Sequence, residues 1–455
     1  MKELFIPNNV IEINQSAIEE FSWKNYLEKI IVEKDNLYFE SRDSNVIMEK
    51  ETKTLVLGCV NSIIPNDTKI IGFNAFNNCL RLEKIVLPNG LEEIQSFAFY
   101  NCCGLKEINF PNSLKEIGEQ VFTSCDRLKI LSLPNSIKFI DKAAFFLCGF
   151  VNKVNIPNKL TYINESMFED CSSIKEIVVP KNIKRICESA FEGCEELEKI
   201  FLPDNLEEID NYAFMNCESL KEINFPETLN KIGKGTFMFC SRLEKIIVPS
   251  KIKRLEDRVF YHCGKLKEIF IPKSVEYINV SAFGENHSLE KIEISLDNKN
   301  YYGYGKELIE RKSKKILLLA KKTSIPNNIK IISCCSMPFD IESCIIPDSV
   351  KHIQSYAFSG TTEIKKIILS KNLESIRKNT FRNCHKLEEI VIPENVKIIQ
   401  KNNFVSCDKL SKIYIMGKDT ILKKNSIPNH ITLYCKKDSK ALIYAIENNQ
   451  NYILM

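Results

Sequence analysis

Histidine is scarce in this sequence, with five among 455 residues, and tryptophan occurs once. His262, His287, His352, His385 and His430 occupy unrelated positions in the repeat described below, so no nucleophile and general base can be paired from them. No Gly-rich phosphate loop, dinucleotide fingerprint or H-E-x-x-H motif occurs, and the C-x-x-C spacing of zinc sites is absent. The expectation is a non-enzymatic protein with no cofactor and no metal. Glycine (15) and proline (16) are too few for a collagen-like or low-complexity chain. No run of about 18 apolar residues is present, which excludes a spanning helix. The segment from Met1 to Asn9 lacks the apolar core of a secretory leader. A cytoplasmic location follows, with the cell surface by a non-classical route as the alternative. Lys plus Arg (63) barely exceed Asp plus Glu (59), and a net charge of +4 argues against nucleic acid as an obligate partner.

What is there is a meter. Pro65, Pro88, Pro111, Pro134, Pro157, Pro180, Pro203, Pro226, Pro249 and Pro272 follow one another at intervals of 23 residues. Counting from each proline, an aliphatic residue recurs at offset 3 and Ile or Leu at offset 6. Phe stands at offset 11, Cys at 14, Leu or Ile at 17, Ile at 20 and a further apolar residue at 22. One such coil cannot bury its apolar side alone, whereas stacked coils align like residues into columns, which defines a solenoid. The Phe column runs Phe76, Phe99, Phe122, Phe145, Phe168, Phe191, Phe214, Phe237, Phe260, Phe283, and resumes as Phe358, Phe381 and Phe404. Segments such as Leu220 to Phe225 have the alternation of short strands, which repetition would pair into one long parallel sheet. Each anchor proline then ends a strand, because it has no N–H for the ladder.

The meter breaks twice. Asp35 to Phe39 followed by Lys53 to Leu57 parallels Asp297 to Tyr302 followed by Lys315 to Leu319. Both breaks read as one kind of inserted hairpin, projecting from an edge. The anchors then resume at Pro326, Pro347, Ser370 and Pro393. At the amino end an off-meter coil at Pro7, with Val10, Ile13, Ala17 and Trp23, is expected to cap the array. At the other end Ile431 to Cys435 reads as a last strand, and Ser439 as the cap of a short helix reaching about Asn448, a lid over the final coil.

The coil from Val86-Leu87-Pro88-Asn89-Gly90-Leu91 through Ala98-Phe99-Tyr100-Asn101-Cys102 to Leu105-Lys106-Glu107-Ile108 resembles the leucine-rich repeats of the BspA-like type, and the resemblance extends from Pro7 to about Tyr414. It implies a predominantly β repeat solenoid of the α/β type, a right-handed array with a long parallel concave sheet and little helix. The segmentation expected is a capping coil with hairpin (1–64), ten coils (65–295), an inserted hairpin (296–325), a second block (326–416) and a helical cap (417–455). The resemblance also implies a binding protein, often a cell-surface adhesin or antigen, whose partner is a protein or cell-surface component. An intracellular scaffold without a dedicated ligand is the alternative.

Eleven cysteines share offset 14, among them Cys79, Cys102, Cys125 and Cys148, and read as small buried thiols rather than bridges or ligands, since a run of nine equivalent residues cannot all pair. Offset 19 alternates in sign (Lys84, Glu107, then Lys153, Glu176, Lys199, Glu222, Lys245, Glu268, Lys291, with Ile130 intervening), and offset 18 runs in antiphase. Opposite charges therefore lie side by side on neighbouring strands. Offset 21 faces the same way and turns apolar in part. Val178, Phe201, Ile247, Phe270, Ile368, Val391 and Tyr414 are the candidate partner-binding residues; β-propensity alone is the competing explanation.

Overall fold

In the computed structural model the residues described are 2–14, 26–42, 44–334, 336–338 and 340–455; Ala17, Trp23 and Cys335 lie outside them. The chain forms two compact units, Met1–Arg242 and Leu243–Met455. Both are β-solenoids, and among the described residues no helix is long and apolar enough to cross a membrane.

Residues 23 apart in sequence are vertical neighbours. In the first unit the rings of Phe76, Phe99, Phe122, Phe145, Phe168, Phe191, Phe214 and Phe237 stack in that order, with centroids 5.0 to 5.6 Å apart and planes within 9° of parallel. In the second unit Phe260 stacks on Phe283 at 5.5 Å, and Phe358, Phe381 and Phe404 form a run at 5.6 and 5.7 Å. The separations fall in the favourable range for offset aromatic pairs.

The thiols at offset 14 do more than fill space. Cys102 Sγ lies 3.1 Å from the carbonyl oxygen of Phe76 in the preceding coil, and Cys125, Cys148, Cys171, Cys194, Cys217 and Cys240 repeat the contact on Phe99, Phe122, Phe145, Phe168, Phe191 and Phe214. Each S–H is a weak donor laced between coils. Burial pushes the Cys148 thiol up to about 12 and raises Cys125, Cys171, Cys194 and Cys217 likewise, so these groups stay protonated and unreactive. Where cysteine is missing, another donor takes its place. Asn286 Nδ2 donates to the carbonyls of Phe260 in the preceding coil and Phe283 in its own, both at 2.9 Å, whereas Thr361 Oγ1 donates within its own coil, to Phe358 O at 2.6 Å.

Two turns per coil pass through the left-handed region. At offset 9 it holds Asn74, Phe97, Gln120, Ala143 and Ser166, and at offset 13 Asn78, Asn101, Ser124, Leu147 and Asp170. Asn and Ser tolerate that conformation, whereas Leu147 (φ 58) and Ala143 (φ 53) adopt it against their intrinsic preference. Inter-coil amide bonds hold them there: Ala143 N donates to Glu165 O at 2.8 Å and Leu147 N to Glu169 O at 2.9 Å. At the same position Gly193 (φ 71) adopts the left-handed conformation without a Cβ, which would otherwise stand 2.1 Å from Asp170 Oδ1 and displace that carboxylate.

The strand pattern differs from a single long sheet. Strands at offsets 19 to 22 pair in parallel and in register, as in Glu176–Val178 with Lys199–Phe201, but as separate ladders of two to four strands. Asparagines cut two of these ladders short at their ends. Asn109 exchanges two hydrogen bonds with the backbone of Leu87 (2.8 and 2.9 Å), and Asn155 Nδ2 donates to Leu133 O, so side chains replace ladder bonds there. A second column, of two-residue strands at offsets 5 and 6, carries the longer ladders. In the first unit it runs Ile70–Ile71, Glu93–Ile94, Glu116–Ile117, Phe139–Ile140, then separately Tyr162–Ile163 to Lys231–Ile232.

The two insertions are one device, as their sequences suggest, but they do not project. Each is an antiparallel meander: Phe39–Glu40, Val46–Glu49, Thr54–Gly58 in the first unit and Tyr301–Tyr302, Glu307–Glu310, Lys315–Leu319 in the second. The third strand of each then pairs in parallel with the offset-5 column, Thr54 with Ile70 and Lys315 with Ile331. A buried asparagine seats each meander on the coil before it. Asn36 Nδ2 donates to Pro7 O and Val10 O while its Oδ1 accepts from the amides of Tyr38 and Phe39. Asn298 does the same with Pro272 O, Val275 O and the amides of Asn300 and Tyr301. An edge-projecting hairpin would forgo these asparagine bonds; the buried Asn holds the inserted chain flat against the core.

At the amino end Glu3–Ile6 pairs in parallel with Lys29–Val32, and Val10 and Ile13 pack on a core of Leu27, Ile30, Phe39 and Leu57. At the carboxyl end the helix Lys440–Glu447 is capped by Ser439, whose hydroxyl accepts from Leu442 N, and it buries Ala441, Tyr444 and Ala445. The chain does not stop at this lid. Tyr452–Leu454 adds a further parallel strand beside Thr432–Cys435 and leaves its side chains exposed.

Candidate functional site

The strand row at offsets 18 to 21 is built from the core outward: Ile at offset 20 points in, so offsets 19 and 21 point out. On offsets 18 and 19 some of the expected charge pairs form between neighbouring coils, while Lys175 turns to Glu196 instead of Glu198. Lys84 Nζ lies 2.7 Å from Glu107 Oε2, Lys106 3.0 Å from Glu83, Lys221 2.8 Å from Glu198, Lys267 3.0 Å from Glu244 and Lys245 3.2 Å from Glu268. Hydrogen bonds from these lysines hold the Glu107, Glu198 and Glu244 carboxyls below their ordinary range. Lys291 instead turns to Glu293 on its own strand, at 2.7 Å. A second charge row follows the offset-5 strands. There Asp210, with a side chain only 8% exposed, is clamped by Arg185 Nε at 2.6 Å and Lys231 Nζ at 2.7 Å.

The seven candidate residues at offset 21 fall into separate groups. In the first unit Val178 and Phe201 are direct ladder partners, 62% and 52% exposed. In the second unit exposed Ile247 pairs with half-buried Phe270, which in turn faces Glu293. Ile368 and Val391, each 47% exposed, line one open groove of about 480 Å³ with Pro393, Met416, Lys371 and Glu394 at its sides. Tyr414 pairs with Val391 and is half-buried.

The row in the second unit is longer than the meter indicates. Ile345, 67% exposed, pairs with Ile368; it precedes Pro347 by two residues, as Val391 precedes Pro393, and that spacing identifies it. Tyr434 pairs with Tyr414, their rings stacked at 4.5 Å, and Ile453 pairs with Tyr434. Both lie beyond the last metered coil, so no offset points to them. In the first unit the same face holds a groove of about 710 Å³ lined by Lys84, Val86, Lys106, Arg127, Lys129 and Ile130, where none of the seven candidates lies.

The histidines do not all remain apart. His262, at offset 13 of the Pro249 coil, stands beside Glu285 and His287, at offsets 13 and 15 of the next coil, and one ligand atom from each lies within 4.8 Å of the others. The offsets are unrelated along the sequence yet adjacent across the turn. The stacking brings together two histidines that the sequence leaves at unrelated offsets.

The profile described as BspA type leucine rich repeat region (6 copies) matches residues 69–198, 184–304 and 319–434. Among solved structures, a leucine-rich repeat protein from Bacteroides ovatus ATCC 8483 is similar over 92% of this chain and 97% of its own, with 22% identity and a TM-score of 0.51. The T. pallidum leucine rich repeat protein is 32% identical over 35% of this chain and 77% of its own, with a TM-score of 0.34. The pneumococcal vaccine antigen PcpA is 16% identical over 92% and 96%, with a TM-score of 0.45. No curated protein matches the chain. With the 23-residue coils stacked in register and the profile spanning most of them, this chain belongs to the BspA-type leucine-rich-repeat family.

Proposed function

We propose that the chain is a non-enzymatic binding module that holds a protein partner on outward strand faces, with Val178 and Phe201 as contact residues of the first unit and Ile247, Phe270, Ile368, Val391 and Tyr414 as those of the second. The observation that carries this reading is the apolar row of the second unit. Ile345, Ile368, Val391, Tyr414 and Tyr434 follow one another on neighbouring strands, and the groove beside Ile368 and Val391 offers a recess for an apolar side chain. Apolar rows flanked by charge mark interaction surfaces more often than scattered exposed residues do. The frame beneath is rigid, so little ordering entropy is lost when a partner docks.

The test is quantitative capture. Full-length protein and an Ile368→Asp/Val391→Asp variant of equal circular dichroism are immobilised, and the proteins retained from a lysate are compared by mass spectrometry. The reading expects partners retained by the parent to be lost from the variant. Identical retained sets would remove this surface as the binding site, and a scaffold without a dedicated ligand would take its place.

A further inference from the structure

We propose that His262, Glu285 and His287 form a binding site for a divalent transition ion of the zinc class, tying two adjacent coils of the second unit. The three groups offer two imidazole nitrogens and one carboxylate oxygen, a donor set that suits Zn²⁺ and leaves a fourth position open to solvent. Ligand atoms around a tetrahedral ion with bonds of about 2.0–2.2 Å lie roughly 3.4 Å from one another. His287 Nε2 is already 3.5 Å from Glu285 Oε2. All ligand atoms lie within 4.8 Å of one another, so convergence on an ion needs a closure of at most roughly 1.4 Å, within reach of small side-chain rotations. The imidazole rings meet edge to face with centroids 6.3 Å apart, so their nitrogens can converge on a point between them.

The backbone that carries these ligands is fixed independently of any ion. His262 and Glu285 hold equivalent left-handed positions in successive coils (φ 57 and 62), which stacks their side chains one above the other. His262 N donates to Gly284 O at 2.9 Å. Between the ligands, buried Asn286 accepts from Cys263 N at 2.8 Å and donates to the carbonyls of Phe260 and Phe283. Asn286 therefore bonds the residue that follows His262 and stands between Glu285 and His287. Such support holds ligands near a productive arrangement before the ion arrives. The Glu285 and His287 side chains are 27% and 30% exposed, so an ion can enter and exchange.

The experiment titrates chelator-treated, full-length protein with Zn²⁺ by calorimetry at about pH 7.5, above the ordinary imidazole range. One ion is expected per chain, with an accompanying rise in thermal midpoint. His262→Asn keeps a residue that tolerates positive φ, and His287→Ala and Glu285→Gln remove the other ligands. Each is expected to weaken binding at least about tenfold, and the double histidine variant about a hundredfold or more. His385→Ala, at a histidine paired with Asp408 away from this cluster, is expected to bind as the parent does. Substitution with Co²⁺ is expected to give ligand-field bands without a thiolate charge-transfer band, which separates this site from any thiol site. The proposal is overturned if the folded parent binds no Zn²⁺ at about 100 μM, if the ligand variants bind as tightly as the parent, or if the Co²⁺ spectrum reports thiolate.

Discussion

Phe145→Ala is the sharpest perturbation of the solenoid interior. The Phe145 side chain is fully buried and stacks on Phe122 at 5.5 Å and Phe168 at 5.6 Å. Removing a buried phenylalanine side chain costs about 3–5 kcal/mol through lost transfer energy and the cavity left behind. Stacking on both faces places this site in the upper part of that range. Contacts in a solenoid run only to neighbouring coils, so the loss should stay local instead of spreading evenly through the chain. Hydrogen exchange reads this directly. The amides of Phe122, Ser124 and Leu147, bonded to Ala144 O, Phe146 O and Glu169 O, report the turns on either side. With about 1.4 kcal/mol per factor of ten, their protection should fall roughly 100- to 4,000-fold. Phe150→Ala, at an exposed site in the same coil, should change protection by less than about threefold. A loss smaller than about tenfold for Phe145→Ala, or an equal loss for Phe150→Ala, would refute the stacked column as the source of stability.

Other perturbations probe other parts of the frame. Asn298→Ala strips the seat of the second meander, removing four hydrogen bonds of a buried side chain, and should destabilise the second unit by about 2–4 kcal/mol in urea titration. Leu147→Gly relieves a left-handed non-glycine residue and should raise stability by up to about 1 kcal/mol, read as a higher urea midpoint at unchanged slope. Burial, more than any neighbouring charge, raises the Glu169 and Glu192 carboxyls above their ordinary value. A raised carboxyl favours the folded state while protonated, and that contribution is lost as pH rises through the folded value. Glu169→Gln/Glu192→Gln should therefore raise the thermal midpoint at pH 7 and have little effect near pH 4; a larger gain at the acid end would contradict the sign.

The columns were legible because each is a single offset repeated: Phe at 11, Cys at 14 and Ile at 20 need only counting. The charge rows were legible for the same reason, since Lys84 and Glu107 sit one period apart and opposite signs imply pairing. The strands at offsets 5 and 6 were not, because two residues such as Glu93–Ile94 are too short for an alternation to show. The role of Asn109 was hidden too, as an asparagine on a strand face reads as exposed polarity until its bonds to Leu87 are seen. Ile345 was obscured by a short coil, and Tyr434 and Ile453 by the end of the meter. His262 and His287 escaped because a period aligns like offsets, whereas this cluster joins offset 13 to offset 15 across a turn. Counting finds columns and misses diagonals.

Cross-linking by register tests the central claim most directly. Lys84 and Glu107 are parallel-strand partners one period apart, at a strand spacing of about 4.8 Å that a disulfide can bridge. Lys84→Cys paired with Glu107→Cys should oxidise to a bridge detectable by peptide mass mapping. Lys84→Cys paired with Ile130→Cys, two coils apart at roughly 10 Å, should not, because a disulfide needs Cα atoms within about 7 Å. Bridging of the second pair, or failure of the first in folded protein, would contradict coils stacked at a 23-residue period.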